Sequence, residues 1–481
     1  MLTKTDPDII KGYLEDSSNL AGAHAEGLYL PANEAEIFEA LAESVTKKSP
    51  LTVSAGQTGT TGGCLPFGGW LLSTQKLNKI IDVNPELKFA IVQPGVKLEE
   101  LDAAVKIAGL LYPPDPTEKT ATIGGNVATN ASGGRSYRFG GTRHWIRRLK
   151  IVLPNGTSYN LKRGLMTANN QAEFILPHST FRIPHYSMPP IKNSAGYFSS
   201  PNMDLVDLFI GAEGTLGIVS EIEVALAPAL RETFDLVAFF PSEELAVDFV
   251  QASKEKRDPT INFYEYFDPN TLAMLRPSYP HIPAGVQAAV YVEQEINETN
   301  EKSYLDNWAS LLEKYGASLD NCWLGTDPKQ KEELFGFRHA IPEHINEIFK
   351  QHHQIKLATD IAVPADKFKE MFNFYNLQLT TNDSQLFYIK FGHIGDNHLH
   401  VNLVAKKPEY FDKAQALVMK FVRKAVELGG TVSAEHGIGK IKHQYLREMY
   451  GNAGLNEMRR VKALFDPSHI LNRGNIFPEF A

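Results

Sequence analysis

A chain of 481 residues, 43% hydrophobic and 22% charged, has room for two or three domains with real cores and reads as neither disordered nor a repeat scaffold. Its net charge of -8 argues against a nucleic-acid partner, which would need a positive field. Two cysteines, Cys64 and Cys322, build neither a disulfide framework nor an iron–sulfur cluster.

Residues 1–50 read as two helices, the first opened by Asp6-Pro7 and the second capped by Asn33. From Leu51 the texture changes to short β-rich runs broken by glycines: LTVSAGQTGTTGG, GGWLLS, IIDV and FAIVQPG. KLEELDAAVKIAGL (97–110) has helical apolar spacing, and Tyr112-Pro113-Pro114 forbids its continuation. A second glycine-rich stretch, ATIGGNVATNASGGRSYRFGG, precedes two strands joined by Asn155-Gly156, a strong hairpin signal. Residues 163–203 read as a long loop over a site, and LFIGAEGTLGIVSEIEVALAP closes the first region near Pro228.

Beyond Arg231, strands alternate with amphipathic helices: DLVAFF, then SEELAVDFVQASKE capped by Ser242, then QAAVYVEQE and NETNEKSYLDNWASLLEKYG. LFYIKFGHIGDNHLHVNLVA (386–405) reads as a β-hairpin, followed by a long helix ended by Gly429. The expectation is an α+β protein with a first domain over 1–230, a substrate or cap domain over 231–428 built on an antiparallel sheet flanked by helices, and a C-terminal helical segment over 429–481. Apolar runs such as Leu236–Phe240 and Ile222–Leu230 are short or interrupted, and the polar, acidic start lacks a signal-peptide pattern. The expected compartment is therefore the cytoplasm, with a peripheral contact at the inner membrane left open.

The glycine stretches are the first chemical signal. Glycine lets a ligand approach the backbone closely, and successive N–H groups in such turns make a concave anion site. Two such loops could hold a pyrophosphate, with Ser54, Thr58, Thr60 and Thr61 adding hydroxyls. No GxGxxG follows a strand and no GxxxxGK[ST] occurs, so a Rossmann nicotinamide site and a P-loop have no support. HExxH and GxSxG are also missing.

VSAGQTGTTGG, VQPGV, PPDPTEKTATIGGNVATNASGGRSYRFGGTRHWI, KNSAGY and LFIGAEGTLGIVSEIEV stand in the order found in FAD-linked dehydrogenases of the vanillyl-alcohol oxidase fold. From about residue 30 onward the chain resembles the glycolate oxidase, D-lactate dehydrogenase and D-2-hydroxyglutarate dehydrogenase branch of that group. The resemblance implies a PCMH-type FAD-binding domain for 1–230. It implies FAD contacts at Ser54, Gly56, Gln57, Thr58, Gly59, Thr60, Thr61 and Gly62, then at Pro94, Gly95, Pro114, Thr120, Thr122, Ile123, Gly124 and Gly125. Further along it implies Ala128, Asn130, Ser132, Gly133 and Arg135, and finally Glu213, Gly217 and Ile218. Relatives that bind flavin covalently often carry a histidine in the first loop; Gln57 and no histidine stand here, which predicts non-covalent FAD.

Of fifteen histidines, His393, His398 and His400 lie together. If Asp396-Asn397 forms a tight turn, His393 faces His400, close enough for both imidazoles to share a divalent metal, with His398 a rival ligand on the same face. Glu435-His436 in SAEHG is the best source of a third ligand, and two His with one carboxylate suit Zn, Mn or Fe(II). The resemblance implies His393, His400 and Glu435 as ligands, with Zn or Mn as the metal. It also exposes a departure: the family usually reads GDGN before the second histidine, whereas this chain reads GDNHLH, which puts His398 where an amide or small residue is usual.

The chemistry that follows is oxidation of a D-2-hydroxy acid, such as D-lactate, D-2-hydroxyglutarate or glycolate, to the 2-oxo acid, with the C2 hydride passing to flavin N5. A neutral histidine takes the hydroxyl proton; His436 is the expected base, its alternative role being a metal ligand. Arg338 in LFGFRHAI resembles the family's substrate arginine by its position before a helix, and it offers a planar fork for the carboxylate. Lys356 is a candidate for a distal substrate group, and Asn402 for a hydrogen bond to substrate. The family's closing NPGK becomes NRGN here, with Arg473 and Asn475 in place of Pro and Lys. The electron acceptor would be a quinone, a cytochrome or an electron-transfer flavoprotein, and a homodimer is compatible with the sequence. The alternatives are alkyl transfer of the ether-lipid synthase kind, a metallohydrolase without flavin, and a FAD-bearing glycolate oxidase subunit.

Overall fold

The computed structural model describes every residue except 177–178, 298, 383–384 and 479–481; the side chains at 176 and 179 also lie outside the described set. The chain divides into two compact units. One comprises Met1–Ser132, Gly141–Ala229 and Ser433–Ala481; the other comprises Gly133–Gly140 and Leu230–Val432. The short segment Gly133–Gly140 thus packs with the second unit although it lies within the second glycine-rich stretch.

The first unit holds two main sheets. In one, Gly27–Leu30 and Leu51–Ser54 run parallel to Trp70–Ser73, with Leu2–Lys4 antiparallel at the edge. The other is a five-stranded antiparallel sheet around Ile218–Ala225. Helix Glu34–Lys47, capped by the Asn33 side chain, seals Ile37, Ala40 and Leu41 against Tyr29, Leu51, Leu72, Val152 and Ile218. Ile470 and Leu471 of the C-terminal segment complete that cluster. The segment is pinned by Lys462, whose buried ammonium donates to Asp466 Oδ2 at 2.6 Å and to the carbonyls of Thr215 and Leu471.

Two strands depart from the reading of residues 1–50 as two helices. Leu2–Lys4 and Gly27–Leu30 are too short to show a period, and each is defined by a partner strand distant in sequence. Residues 163–203 are largely irregular, as expected, but enclose the antiparallel pair Glu173–Leu176 and Ser179–Arg182.

The second unit is built on a seven-stranded sheet, antiparallel throughout. Its order is Trp323–Gly325, Thr233–Phe240, Ala288–Glu295, Ile261–Phe267, Leu386–Gly392, His398–Ala405 and Ile361–Ala362. Helix Pro328–Gln351 packs Phe337, Ile341, Ile345 and Phe349 onto one face, against Phe263, Phe267, Ile389 and Phe391. On the opposite face, Phe240 meets Phe249, Tyr264 meets Trp308 and Tyr266 meets Phe372. Buried on both faces, the central strands read as continuous apolar runs, and a charged residue among them stands out.

Asp268 caps helix Pro269–Leu275 through Oδ1, which accepts from the Thr271 N–H and hydroxyl, while Oδ2 is buried with no partner among the described residues. Burial pushes its carboxyl from 3.8 up to about 6, against the opposing pull of Lys390. A raised acid favours the fold when protonated: its contribution is complete below pH 3.8 and is lost as pH rises through about 6. Asparagine keeps the cap without the charge. Asp268→Asn is therefore expected to gain on the wild type by roughly 3 kcal/mol between pH 4 and pH 7, at ~1.4 kcal/mol per unit. Denaturant melts across that range read the gap, and a gap independent of pH would refute the assignment.

Candidate active site

In the first unit, the loop that leaves Leu51–Ser54 carries Gly56, Gln57, Thr58, Gly59, Thr60, Thr61 and Gly62. A Cβ on Gly56 would lie 3.2 Å from the Thr120 carbonyl and 3.3 Å from the Thr122 amide, so the two glycine-rich stretches meet backbone to backbone. A Cβ on Gly124 would strike Pro94 at 2.5 Å, and the Gly124 N–H donates to the Pro94 carbonyl at 2.8 Å. Thr122 caps helix Ile123–Thr129 by accepting from Gly125, and Asn130 ends it in the left-handed conformation. Ser54 Oγ and Asn126 Nδ2 are buried with no hydrogen-bond partner among the described residues. Close backbone approach and orphaned polar atoms are what a dinucleotide cradle requires, and these residues fit FAD.

Other expected flavin residues are placed as follows. Gln57 has a positive φ, and its side chain donates to the carbonyls of Gly12 and Glu15. Gly95 and Pro114 lie in connections, and Gly217 and Ile218 open the strand Ile218–Ala225. The Glu213 N–H donates to the Ala128 carbonyl, and its carboxylate accepts the amides of Ile438 at 2.6 Å and Gly439 at 2.7 Å. Glu213 therefore braces the SAEHGIGK loop. Burial lifts its carboxyl to about 7 despite those two amides. Gly133 and Arg135 belong to the second unit, where Arg135 Nε lies 3.8 Å from Glu293.

Also in the first unit, the buried Glu435 carboxylate accepts from Ser132 Oγ at 2.9 Å and pairs with Lys192 Nζ at 2.8 Å. His436 stands beside it, partly exposed, with Nε2 3.7 Å from Glu435 Oε1. Lys192 was not among the residues singled out from sequence; KNSAGY carried the clue only as part of a longer motif.

In the second unit the histidine hairpin has a register other than the one expected. Phe391 pairs with His400, so His393 faces His398, not His400. The turn is a four-residue one: Ile394–Asp396 form a short 3-10 turn and Asn397 takes a positive φ, which displaces the pairing by two residues. Two residues being one side-chain period, all three histidines still share one face, and they are buried. A ring nitrogen from each lies within 4.8 Å of those of the other two.

Each imidazole is held by its other nitrogen. His393 Nδ1 lies 2.6 Å from Glu265 Oε1, His398 Nε2 lies 3.0 Å from Asp360 Oδ1, and His400 Nδ1 lies 3.4 Å from the Thr359 carbonyl. Outer partners of this kind orient ligating imidazoles, and ring nitrogens within 4.8 Å of one another fit a divalent ion. Glu265 sits across from His393 in the sheet, since Tyr266 pairs with Gly392. It also accepts from Arg338 Nε at 3.0 Å. Burial would raise the Glu265 carboxyl, but Arg338 and His393 outweigh it and hold it down at about 2.

Arg338 lies within helix Pro328–Gln351, not before a helix, because Pro342 is accommodated in the helix interior. Its guanidinium is 5.4 Å from the Phe391 ring, and Nη1 is buried with no partner among the described residues. Asn402 continues the face of His398 and His400, and its Oδ1 is likewise buried without one. Lys356 lies half-buried in the segment before Ile361–Ala362. Glu265, Asp360 and Thr359 escaped the sequence reading; the available signal was a single acid inside the aromatic strand INFYEYF.

The cradle agrees with the comparisons. Residues 25–162 match the FAD binding domain, and residues 231–476 match the C-terminal domain of FAD linked oxidases. D-lactate dehydrogenase of Anaerostipes hadrus is 30% identical, with 98% of this chain and 93% of the relative covered. Glycolate oxidase subunit GlcD of Bacillus subtilis is 28% identical (98% and 92% covered). D-2-hydroxyglutarate dehydrogenase of Stutzerimonas stutzeri is 29% identical (98% and 95% covered). Among solved structures, 4-ethylphenol oxidase from Gulosibacter chungangensis superposes with a TM-score of 0.74 over 99% of this chain and 94% of the other, at 16% identity. An alkyldihydroxyacetonephosphate synthase gives 0.68, also at 16%, over 98% and 81%. At such identity these two show the fold alone. The chain belongs to the FAD-linked oxidase family and is an FAD-dependent oxidoreductase of α+β architecture with a PCMH-type FAD-binding fold. Among the described residues no helix is long and apolar enough to cross a membrane.

Proposed function

We propose that the chain is a dehydrogenase of small D-2-hydroxy acids of the D-lactate, D-2-hydroxyglutarate or glycolate type, yielding the 2-oxo acid. The observation that carries this reading is Arg338, a buried guanidinium tethered through Glu265 to His393, with one donor nitrogen left to a ligand. A buried, aimed arginine beside an imidazole cluster suits an acid whose carboxylate and hydroxyl sit on adjacent carbons.

When bound, FAD would accept the C2 hydride, and a divalent ion, Zn or Mn, would acidify the hydroxyl. This chain's residues do the rest. Arg338 receives the carboxylate, and Asn402 hydrogen-bonds the substrate. Lys356 serves a distal acidic group where the substrate has one. His393 and His400 would hold the ion, with Glu435 as the further ligand that the resemblance implies, and neutral His436 would take the hydroxyl proton. FAD is held non-covalently along the residues expected from sequence, within a flavin domain at 1–230 followed by a substrate domain at 231–428 and a C-terminal segment at 429–481. Electrons pass on to a quinone, a cytochrome or an electron-transfer flavoprotein. The proposed setting is the cytoplasm, at or near the inner membrane.

A panel of D- and L-2-hydroxy acids with an artificial acceptor tests the reading. Turnover is expected with at least one D-acid or glycolate and not with the L-enantiomers. An enzyme turning over only phenols or alcohols without a carboxylate would overturn it.

A further inference from the structure

The ligand set proposed above leaves His398 without a role, although it is fully buried and stands on the same face as His393 and His400. Resting on the metal reading, we propose that His398 is a further metal ligand, which turns the hairpin into a three-histidine site with Asp360 as the carboxylate that orients it.

Three observations support this. The rings form a compact trio, with centroids 5.3 Å apart for His393 and His398, 4.5 Å for His398 and His400, and 5.4 Å for His393 and His400. Each ring is held from outside the trio, by Glu265, Asp360 and the Thr359 carbonyl respectively, the arrangement that orients ligating imidazoles. His393 and His400 make these contacts through Nδ1, whereas His398 has Nε2 at ion-pair distance from Asp360, without hydrogen-bond alignment. Finally, Asp360 is as deeply buried as His398. A cation held by the imidazoles would favour that buried carboxylate through His398.

The chemical consequence is selectivity. A third imidazole makes the set richer in nitrogen, which favours Zn or Co(II) over Mn, an ion better suited to oxygen ligands.

The test uses FAD-loaded full-length protein stripped of metal by chelator and titrated with Co(II), then with Zn and Mn. Calorimetry gives affinity, and the visible Co(II) bands report the ligand field. Wild type is expected to bind one Co(II), and to bind Zn more tightly than Mn. His398→Asn should weaken Co(II) by roughly 100-fold and change the bands, and Asp360→Asn should weaken it by roughly tenfold, in line with losses of outer partners. Flavin content and melting temperature identify a variant that fails to fold, and Asp360→Asn, which leaves the ligand itself in place, then carries the test. Wild-type affinity and unchanged bands in His398→Asn would overturn the third ligand while leaving the metal reading intact. Wild-type protein that binds none of the three ions would instead overturn the metal reading, and this proposal with it.

Discussion

Arg338→Met is expected to lower kcat/KM for the true hydroxy acid by two to three orders of magnitude, because the substrate carboxylate loses its buried charged partner. Truncating one member of a buried, hydrogen-bonded charge pair costs about 2–5 kcal/mol, at ~1.4 kcal/mol per tenfold. Arg338 also donates to Glu265, so the methionine variant removes one of the two groups, Arg338 and His393, that meet that buried carboxylate. This threatens stability as well as catalysis. Arg338→Lys separates the two effects. It keeps a charge beside Glu265 but loses the planar fork, so it should fold and retain flavin while its KM rises. Steady-state kinetics of both variants decide the matter. A methionine variant within threefold of wild type, with flavin bound, would remove Arg338 from the substrate site.

On the proposed metal reading, chelation is expected to be comparably severe. A divalent ion that acidifies the hydroxyl contributes several kcal/mol to the transition state, about a thousandfold in rate. Chelator-treated enzyme should keep its flavin, lose turnover and regain it with Zn or Mn. His393→Ala should not recover at ordinary metal concentrations, since it removes a ligand and leaves Glu265 facing the gap. Full turnover after exhaustive chelation would show that the imidazole cluster is structural.

These residues differ in how far the sequence exposed them. The flavin loops were legible because glycine, threonine and asparagine are there for local backbone reasons, and their order along the chain is itself a signature. The histidine face was legible because β-periodicity survives an error of two residues: the turn runs from Ile394 to Asn397 rather than through Asp396-Asn397 alone, yet His393, His398 and His400 remain on one side. Had the error been one residue, the face would have been lost. Arg338 was expected before a helix and lies inside one, Pro328–Gln351, which absorbs Pro342 in its interior. Glu265, Asp360 and Lys192 were missed because their roles come from pairing across the fold. Glu265 reaches His393 only through the register of Ile261–Phe267 with Leu386–Gly392. No local pattern encodes that pairing, although an acid in a strand buried along its whole length was a sign that a cation must lie nearby.

The most direct measurement mixes the purified, FAD-loaded protein anaerobically with D-lactate, D-2-hydroxyglutarate and glycolate in turn and follows the flavin absorbance. The account predicts that at least one of them bleaches the flavin rapidly and yields the 2-oxo acid in equal amount. A protein that binds flavin yet stays oxidised with all three, or one that takes up no flavin at all, would contradict it.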